Sequence, residues 1–181
     1  MKSLLQVVAE NVRRHRAARR WSQQELADRS RVSRGMIVRI EGGEDNVSLA
    51  TLGRIALAFG VSFTDVVMAP AGGAGLPEHR VQVWRGTRPG TRIALLGSFV
   101  GPRMTDLFEC TLAPGDRYQG EPDQENTRQM AYVVKGTLVL EHGSGTRTLG
   151  RGDSVVFPSD QPYAFANPGK TPLRFILSVA G

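Results

Sequence analysis

Apolar residues in the first part of the chain recur at intervals of three and four, the spacing that puts side chains on one face of an α-helix. Leu4, Leu5, Val8 and Val12 follow this spacing and predict a first helix that ends near Ala18. The stripe is most simply explained as core, packed against the helices that follow.

Serine residues indicate where later helices begin. Ser22, Ser33, Ser48 and Ser62 each precede a stretch of helical periodicity. A serine at that position accepts hydrogen bonds from the free N–H groups of the first helical turn. Gly60 is a stop signal for the stretch that follows Ser48. The pattern therefore predicts five helices between residues 4 and 68.

The second and third predicted helices lie very close together in the sequence. Only about four residues, Arg29 to Val32, separate them, so the helices must cross steeply, with the small side chain of Ala27 at the contact. Their shared apolar side chains are Leu26, Val32, Ile37 and Ile40. The opposite face of the third helix carries Ser33, Arg34, Gly35, Val38 and Arg39. This face carries two arginines and points outward at a spacing that fits a DNA major groove.

The same stretch resembles a known family. S-Q-Q-E-L-A at 22–27, V-S at 32–33 and I-V-R-I-E-G-G at 37–43 follow the pattern of the lambda-repressor-like helix-turn-helix domain of phage repressors and bacterial Xre-type regulators. The likeness runs from about Leu4 to Met68 and implies an all-α, five-helix domain that binds DNA. The family usually has glycine where this chain has Arg31, so we expect a slightly altered turn with a positive φ at that residue.

The resemblance implies which residues contact DNA. Arg34 and Arg39 are expected to read bases, and Gln23 and Gln24 to meet a phosphate at a helix N-terminus. Arg16 has two interpretations, an ion pair with Glu41, which we favour, and a phosphate contact. The complete predicted set is Arg16, Gln23, Gln24, Ser33, Arg34, Gly35, Met36, Val38 and Arg39. The alternative is an ordinary helical bundle without a DNA-reading face.

A stretch rich in glycine and proline follows the helices. Residues 70–79 have no apolar periodicity, which predicts a linker between a helix-turn-helix domain at 1–69 and a second domain at 80–181. Beyond Arg80 the apolar period changes to two. Short runs such as V-Q-V-W, L-F-E-C-T-L and S-V-V-F alternate with glycine, proline and aspartate. Seven or more short strands predict an all-β sandwich or barrel, and residues 137–149 are the clearest hairpin.

This second half resembles the cupin family, a double-stranded β-helix or jelly-roll barrel that Xre-type regulators often carry as a sensor. The first cupin motif extends from Gly115 to Gly136, and the second from Gly152 to Asn167. The positions that hold metal ligands in the family are occupied here by Glu121, Asp123, Gln129 and Tyr163. A cupin metal site needs about three imidazoles and a carboxylate, so we expect no metal, no cofactor and no catalytic residue. Weak binding of a hard cation by the two carboxylates is the alternative.

We expect the barrel to be a binding pocket for a small polar molecule. Alternation along the strands places further residues on the pocket face. The predicted set is Glu121, Asp123, Gln129, Ala131, Val133, Tyr163, Phe165 and Asn167. The alternative is a filled barrel, with Phe165 and Met130 as core, that serves only for dimerisation. Cys110 is expected to be a buried apolar side chain rather than a redox sensor.

Composition agrees with this interpretation. The chain of 181 residues has a formal net charge of +6, which suits a polyanionic partner, and a single cysteine, which fits a reducing cytoplasm. No apolar run is long enough for a membrane span and no signal peptide is evident, so we expect a cytoplasmic protein without a membrane partner.

The predicted function is a transcriptional regulator, not an enzyme, whose barrel binds an effector and modulates binding of the helical domain to an operator. We expect a homodimer assembled mainly through the barrel and a two-fold symmetric, double-stranded operator. Two alternatives stay open. One is a cupin enzyme with an appended DNA-binding domain, and the other is an autoregulating, antitoxin-like protein-interaction module.

Overall fold

Five helices form the first half of the chain, and each predicted serine cap is observed. The computed structural model describes residues 3–44, 47–68, 81–100, 104–143 and 145–181. The helices are α1 (Leu4–Ala18), α2 (Gln23–Ser30), α3 (Arg34–Gly42), α4 (Leu49–Phe59) and α5 (Phe63–Val67). Ser22, Ser33, Ser48 and Ser62 accept a hydrogen bond from the third residue beyond them. Ser3, which was not predicted as a cap, does the same for α1.

The apolar side chains predicted to lie between α2 and α3 are in the core of the helical unit, whereas Leu4 and Leu5 of the predicted α1 stripe are only half-buried. Leu26, Ile37 and Ile40 are almost completely buried between α2 and α3, and Ala27 is buried beside them. Asn11 is buried as well, and its side-chain amide donates to the carbonyl oxygens of Val66 and Met68. This pair of hydrogen bonds ties α1 to the end of α5.

The turn between α2 and α3 is one residue shorter than predicted. Helix α2 continues to Ser30, so the connection is Arg31 to Ser33 rather than Arg29 to Val32. Arg31 has φ 54° and ψ 35°, the left-handed conformation expected for the residue that replaces a glycine. Its N–H still donates to the carbonyl oxygen of Ala27, so the motif is retained.

In the described part of the second half, ten antiparallel strands form two sheets. They are β1 (Val81–Arg85), β2 (Arg92–Val100), β3 (Met104–Leu112), β4 (Arg117–Gly120), β5 (Arg128–Lys135), β6 (Leu138–His142), β7 (Gly145–Leu149), β8 (Ser154–Pro158), β9 (Tyr163–Ala166) and β10 (Leu173–Ala180). The order is β1-β2-β3-β10-β5-β8 in one sheet and β4-β9-β6-β7 in the other. The predicted hairpin is β6–β7. Strand β4, with the sequence R-Y-Q-G, was not predicted.

Aromatic side chains fill the space between the two sheets. The ring of Phe165 lies 5.0 Å from that of Phe175, 5.4 Å from Tyr163 and 6.0 Å from Phe157, measured between centroids. Cys110 is fully buried, as expected. Met130 is 51% exposed, so its assignment to the core in the filled-barrel alternative was wrong. The strand alternates, and Met130 points away from the face that carries Gln129 and Ala131.

The two halves form separate compact units, residues 1–78 and 79–181. The predicted linker at 70–79 lies outside the described residues. Within the described ranges, no helix is both long enough and apolar enough to cross a bilayer.

Candidate functional sites

The outer face of α3 is open to solvent. Ser33, Arg34, Gly35 and Arg39 are exposed, and Val38 is 45% exposed. Met36 is half-buried, at the edge of this face. The face exists because Ile37 and Ile40 hold the opposite side of the helix in the core, which leaves the two arginines pointing outward five residues apart.

Two small residues shape the start of this helix. Ser33 caps it, because its Oγ accepts a hydrogen bond from the N–H of Met36 at 3.2 Å. Gly35 packs against nothing, since a Cβ at that position would meet no atom within 4 Å. The glycine therefore leaves the backbone of the first turn accessible from outside.

A hydrogen-bonded ion pair joins the three helices around the motif. Arg16 Nε and Nη2 donate to Glu41 Oε1 and Oε2 at 2.6 and 2.9 Å, and Arg16 Nη1 donates to the carbonyl oxygen of Trp21 at 2.9 Å. Burial alone would raise the pKa of Glu41, but hydrogen bonds from Arg16 and Gln23 outweigh it and hold that pKa below its usual value. The ion-pair interpretation of Arg16 is confirmed.

The two predicted phosphate-binding glutamines have different environments. Gln23 is half-buried and its Nε2 donates to Glu41 Oε2 at 2.8 Å, so its amide supports the ion pair. Gln24 is exposed, and its Nε2 donates to Asp28 Oδ1 of the same helix at 2.7 Å. Phosphate contacts from Arg16, Gln23 and Gln24 stay predictions.

In the barrel, three of the four residues at the family's metal-ligand positions come together. Gln129 Nε2 donates to Asp123 Oδ2 and to Tyr163 Oη, both at 2.7 Å. Gln129 is 2% and Tyr163 5% exposed, whereas Asp123 is half-buried. Gln129 Oε1 is buried and has no hydrogen-bond partner. Burial also raises the pKa of Tyr163, so its phenol stays neutral. Glu121 is exposed, outside this buried group.

Sequence reasoning missed two neighbours of this group. Asp106 of β3 is 7% exposed, and the hydroxyl of Ser98 on β2 donates to its Oδ1. Burial raises the pKa of Asp106 to about 6, helped by the negative charge of Asp123 and opposed by the Ser98 hydrogen bond. The sequence does carry a signal for Asp106. It alternates in phase with the apolar Phe108 and Cys110 of its strand, which predicts that its side chain faces the interior.

The other residues of the predicted pocket are structural. Ala131, Val133 and Phe165 have no exposed surface, so they form the packed core. The Asn167 amide nitrogen donates to the carbonyl oxygens of Leu112, Ala113 and Thr171, and its Oδ1 accepts from the N–H of Gly169. Asn167 therefore fastens the chain after β9 to two other segments.

The barrel group does not suit the metal that the cupin resemblance implies. The Gln129 amide nitrogen donates its N–H groups to Asp123 and Tyr163, so it has no lone pair with which to coordinate a metal ion between those two side chains. Among the described residues, no three histidine, cysteine, aspartate or glutamate side chains are placed to hold a metal. His142 is engaged elsewhere, with its Nε2 2.7 Å from the carbonyl oxygen of Pro158.

A separate cavity of about 530 Å³ opens between the β6–β7 hairpin and β8. Leu140, Val155 and Phe157 form its apolar floor, and Arg147 and Gln161 are polar groups on its walls. None of these residues belongs to the predicted pocket.

Comparison with known proteins gives matches in both halves. A family model described as helix-turn-helix matches residues 12–66, and one described as cupin domain matches residues 108–179. The HTH-type transcriptional regulator SutR of Escherichia coli strain K12 is 24% identical over 178 residues, which cover 97% of this chain and 95% of that protein.

Solved structures resemble the chain as well. An HTH_3 family transcriptional regulator from Vibrio cholerae has a TM-score of 0.73 at 22% identity, covering 98% of this chain and 97% of that one. The cupin domain of an XRE family transcriptional regulator from Enterobacter cloacae is 28% identical, with a TM-score of 0.41, over 41% of this chain and 79% of that one. Residues 12–66 thus match a helix-turn-helix model and residues 108–179 a cupin model, and the chain is similar over nearly its whole length to the transcriptional regulator SutR.

Proposed function

We propose that this chain is a sequence-specific regulator of transcription that reads its operator with the outer face of α3. The observation that carries the proposal is the exposed basic face of that helix, held outward by the buried Ile37 and Ile40. Arginine is the side chain best suited to bidentate hydrogen bonding with guanine in the major groove.

Each residue of the face has a role in this proposal. Arg34 and Arg39 contact base edges, and Val38 offers an apolar contact to a thymine methyl group. Gly35 leaves room for the backbone to approach the groove wall, with Ser33 and Met36 on either side of it. Arg16, Gln23 and Gln24 lie near the N-terminus of α2, where unpaired N–H groups favour a phosphate.

A second copy of the chain is the expected protein partner. One helix-turn-helix unit offers few base contacts, so proteins of this class bind as two-fold dimers with half-sites about one helical turn apart. The barrel supplies a candidate interface, because the large exposed apolar side chains among its described residues lie on the six-stranded sheet. They are Phe99, Leu107, Met130, Tyr132 and Val156.

The barrel is proposed to bind a small effector that changes operator affinity. A coupling of about 1–3 kcal/mol between the two sites is ordinary for such switches. The group of Asp123, Gln129 and Tyr163 supports this role, since a buried polar atom without a partner is costly unless a ligand satisfies it. The same group lacks the ligands for a catalytic metal, so the proposal includes no enzymatic activity. Such a regulator would act in the cytoplasm, where its DNA is.

Fluorescence anisotropy tests the proposal. The full chain is titrated onto a labelled duplex from just upstream of its own coding region, and onto a scrambled duplex of equal length and composition. Specific binding at least tenfold tighter than to the scrambled duplex is expected, and equal binding would contradict the proposal. Repeating the titration with a pool of small metabolites tests the effector role. Metal-dependent turnover or a tightly co-purifying protein would instead favour the enzyme or antitoxin-like alternative.

A further inference from the structure

Two hydrogen-bonded groups of polar residues lie close enough in the barrel for the charge of Asp123 in one to act on Asp106 in the other, and we call the five residues the Gln129 cluster. They are Ser98, Asp106, Asp123, Gln129 and Tyr163. Strand register places three of them in one line, since Ser98 lies opposite Asp106, Asp106 opposite Val179, and Val179 opposite Gln129. Opposite residues share a face of the sheet, so these side chains point to the same side.

Hydrogen-bond acceptors dominate the cluster. Asp106 and Asp123 contribute four carboxylate oxygens, and Gln129 adds a buried Oε1 that has no partner. The donors are the hydroxyl of Ser98, which donates to Asp106, the amide of Gln129, which donates to Asp123 and Tyr163, and the O–H of the neutral Tyr163 phenol. An unsatisfied buried acceptor costs about 1–3 kcal/mol, so the cluster favours a ligand that brings N–H donors.

We propose that the Gln129 cluster is the effector site and that the effector is a small organic cation with a protonated amine. This inference rests on the proposed regulatory function and names the class of its effector. The ammonium group donates to Gln129 Oε1 and is neutralised by the carboxylates of Asp106 and Asp123. A charged group that leaves water needs an oppositely charged partner. The carboxylates of the cluster supply one for a cation and would repel an anion.

The electrostatics of Asp106 agree with a site that receives positive charge. Burial and the neighbouring charge of Asp123 raise the pKa of the Asp106 carboxyl to about 6, against the hydrogen bond from Ser98. A cation beside it would favour the carboxylate and lower that pKa. Asp123 is half-buried, so part of the cluster is accessible to solvent.

A charge series tests the inference on the unmodified full chain. n-Butylammonium, 1-butanol and n-butyrate have the same carbon chain and differ in charge. Saturation-transfer-difference NMR at pH 7 measures binding of each. We expect n-butylammonium to bind at least tenfold more tightly than 1-butanol, and n-butyrate not to bind. Equal binding of all three, or preference for n-butyrate, would overturn the inference.

Variants locate the site. Asp106→Asn can still accept the hydrogen bond from Ser98 and should weaken the binding of n-butylammonium at least tenfold. Glu141→Gln removes one negative charge from an exposed ion pair with Arg117 outside the cluster and should leave binding unchanged. Equal weakening by both variants would mean a non-specific charge effect and overturn the assignment.

Operator binding by the same samples separates this inference from the proposed function. Specific DNA binding without n-butylammonium binding would overturn the inference alone. Tight n-butylammonium binding by a protein that does not distinguish its operator would keep the cationic site and overturn its role as an effector site.

Discussion

At the scale of single residues, Arg34 and Arg39 are the side chains on which operator recognition should depend. Arg34→Ala and Arg39→Ala should each weaken specific binding by about 1–3 kcal/mol, since a bidentate arginine–guanine contact contributes about that much free energy of discrimination. Binding to scrambled DNA should change much less. Anisotropy titrations of the two variants on both duplexes measure the difference.

The matched control is Arg151→Ala, which removes the same charge from an exposed position of the barrel. It should leave the ratio of specific to scrambled binding as it is in the unmodified chain. An equal loss on both duplexes for Arg34→Ala and Arg39→Ala would identify these arginines as phosphate contacts instead.

Asp106 should make the barrel less stable as the pH rises. Its pKa is raised to about 6 in the folded barrel, so between about pH 4 and pH 6 the native state holds more protons than the unfolded chain. The free energy of unfolding should therefore fall across that window, by at most about 2–3 kcal/mol, and stay low above it.

Asp106→Asn carries no titrating group and should remove this fall. Urea denaturation at a series of pH values, followed by Trp84 fluorescence in a Trp21→Phe background, compares the two proteins. If the difference in free energy of unfolding between the two proteins were independent of pH from 4 to 7, Asp106 would not have the raised pKa.

What the sequence reveals about single residues depends on the interactions that determine their positions. Arg16 could be paired with Glu41 because a known pattern fixes their spacing. The alternation of Asp106 with Phe108 and Cys110 indicates that it faces inward, but its hydrogen bond from Ser98 and the nearby charge of Asp123 come from other segments that only the folded barrel brings close. Asn167 was expected in the pocket, but its amide donates to the carbonyl oxygens of Leu112 and Ala113. These residues lie 55 and 54 positions before Asn167 in the chain, so no local pattern reveals the contact.

At the scale of elements, the turn between α2 and α3 contains a local strain that can be relieved. Arg31 has the left-handed backbone conformation, which costs a residue with a Cβ about 1 kcal/mol and glycine much less. Arg31→Gly should therefore unfold with a free energy about 0.5–1 kcal/mol higher than Arg31→Ala. Thermal and urea denaturation, followed by the circular dichroism of the helical domain, measure the free energy of unfolding of both variants.

Arg31→Ala is the control because it removes the same side chain and charge while keeping the Cβ. Equal stability of the two variants would mean that the turn is not strained. Operator affinity should be the same for both if Arg31 acts only through the backbone.

Element boundaries were predictable where one local interaction fixes them. The serine caps and Gly60 determine four of the five helices, and the alternation of β6 and β7 reveals their hairpin. Strand β4 was missed because its four residues, R-Y-Q-G, are too short to show a period. Its pairing with β9, which places Tyr118 opposite Phe165, is a long-range contact that no local pattern reports.

At the scale of the whole molecule, the outer face of the six-stranded sheet should form the contact between two copies. Leu107, Ser178, Met130 and Val156 lie opposite one another along a line across four strands, and three of them are large exposed apolar residues. A two-fold axis through such a face pairs the patch with itself, so one apolar surface supplies both partners. Contiguous exposed apolar surface of this kind is typical of protein contacts.

Val156→Lys should therefore separate the dimer, because Val156 is 56% exposed at the centre of the edge strand β8 and a lysine there would place like charges together in the contact. Size-exclusion chromatography with light scattering should show a monomer. Operator affinity should fall by at least tenfold, since each copy then binds one half-site alone.

The control is Thr148→Lys, on an exposed position of the other sheet, which should stay dimeric and bind the operator normally. A dimer in both variants would show that the copies meet through another surface, and a monomer in the unmodified chain would remove the two-fold operator from the proposal.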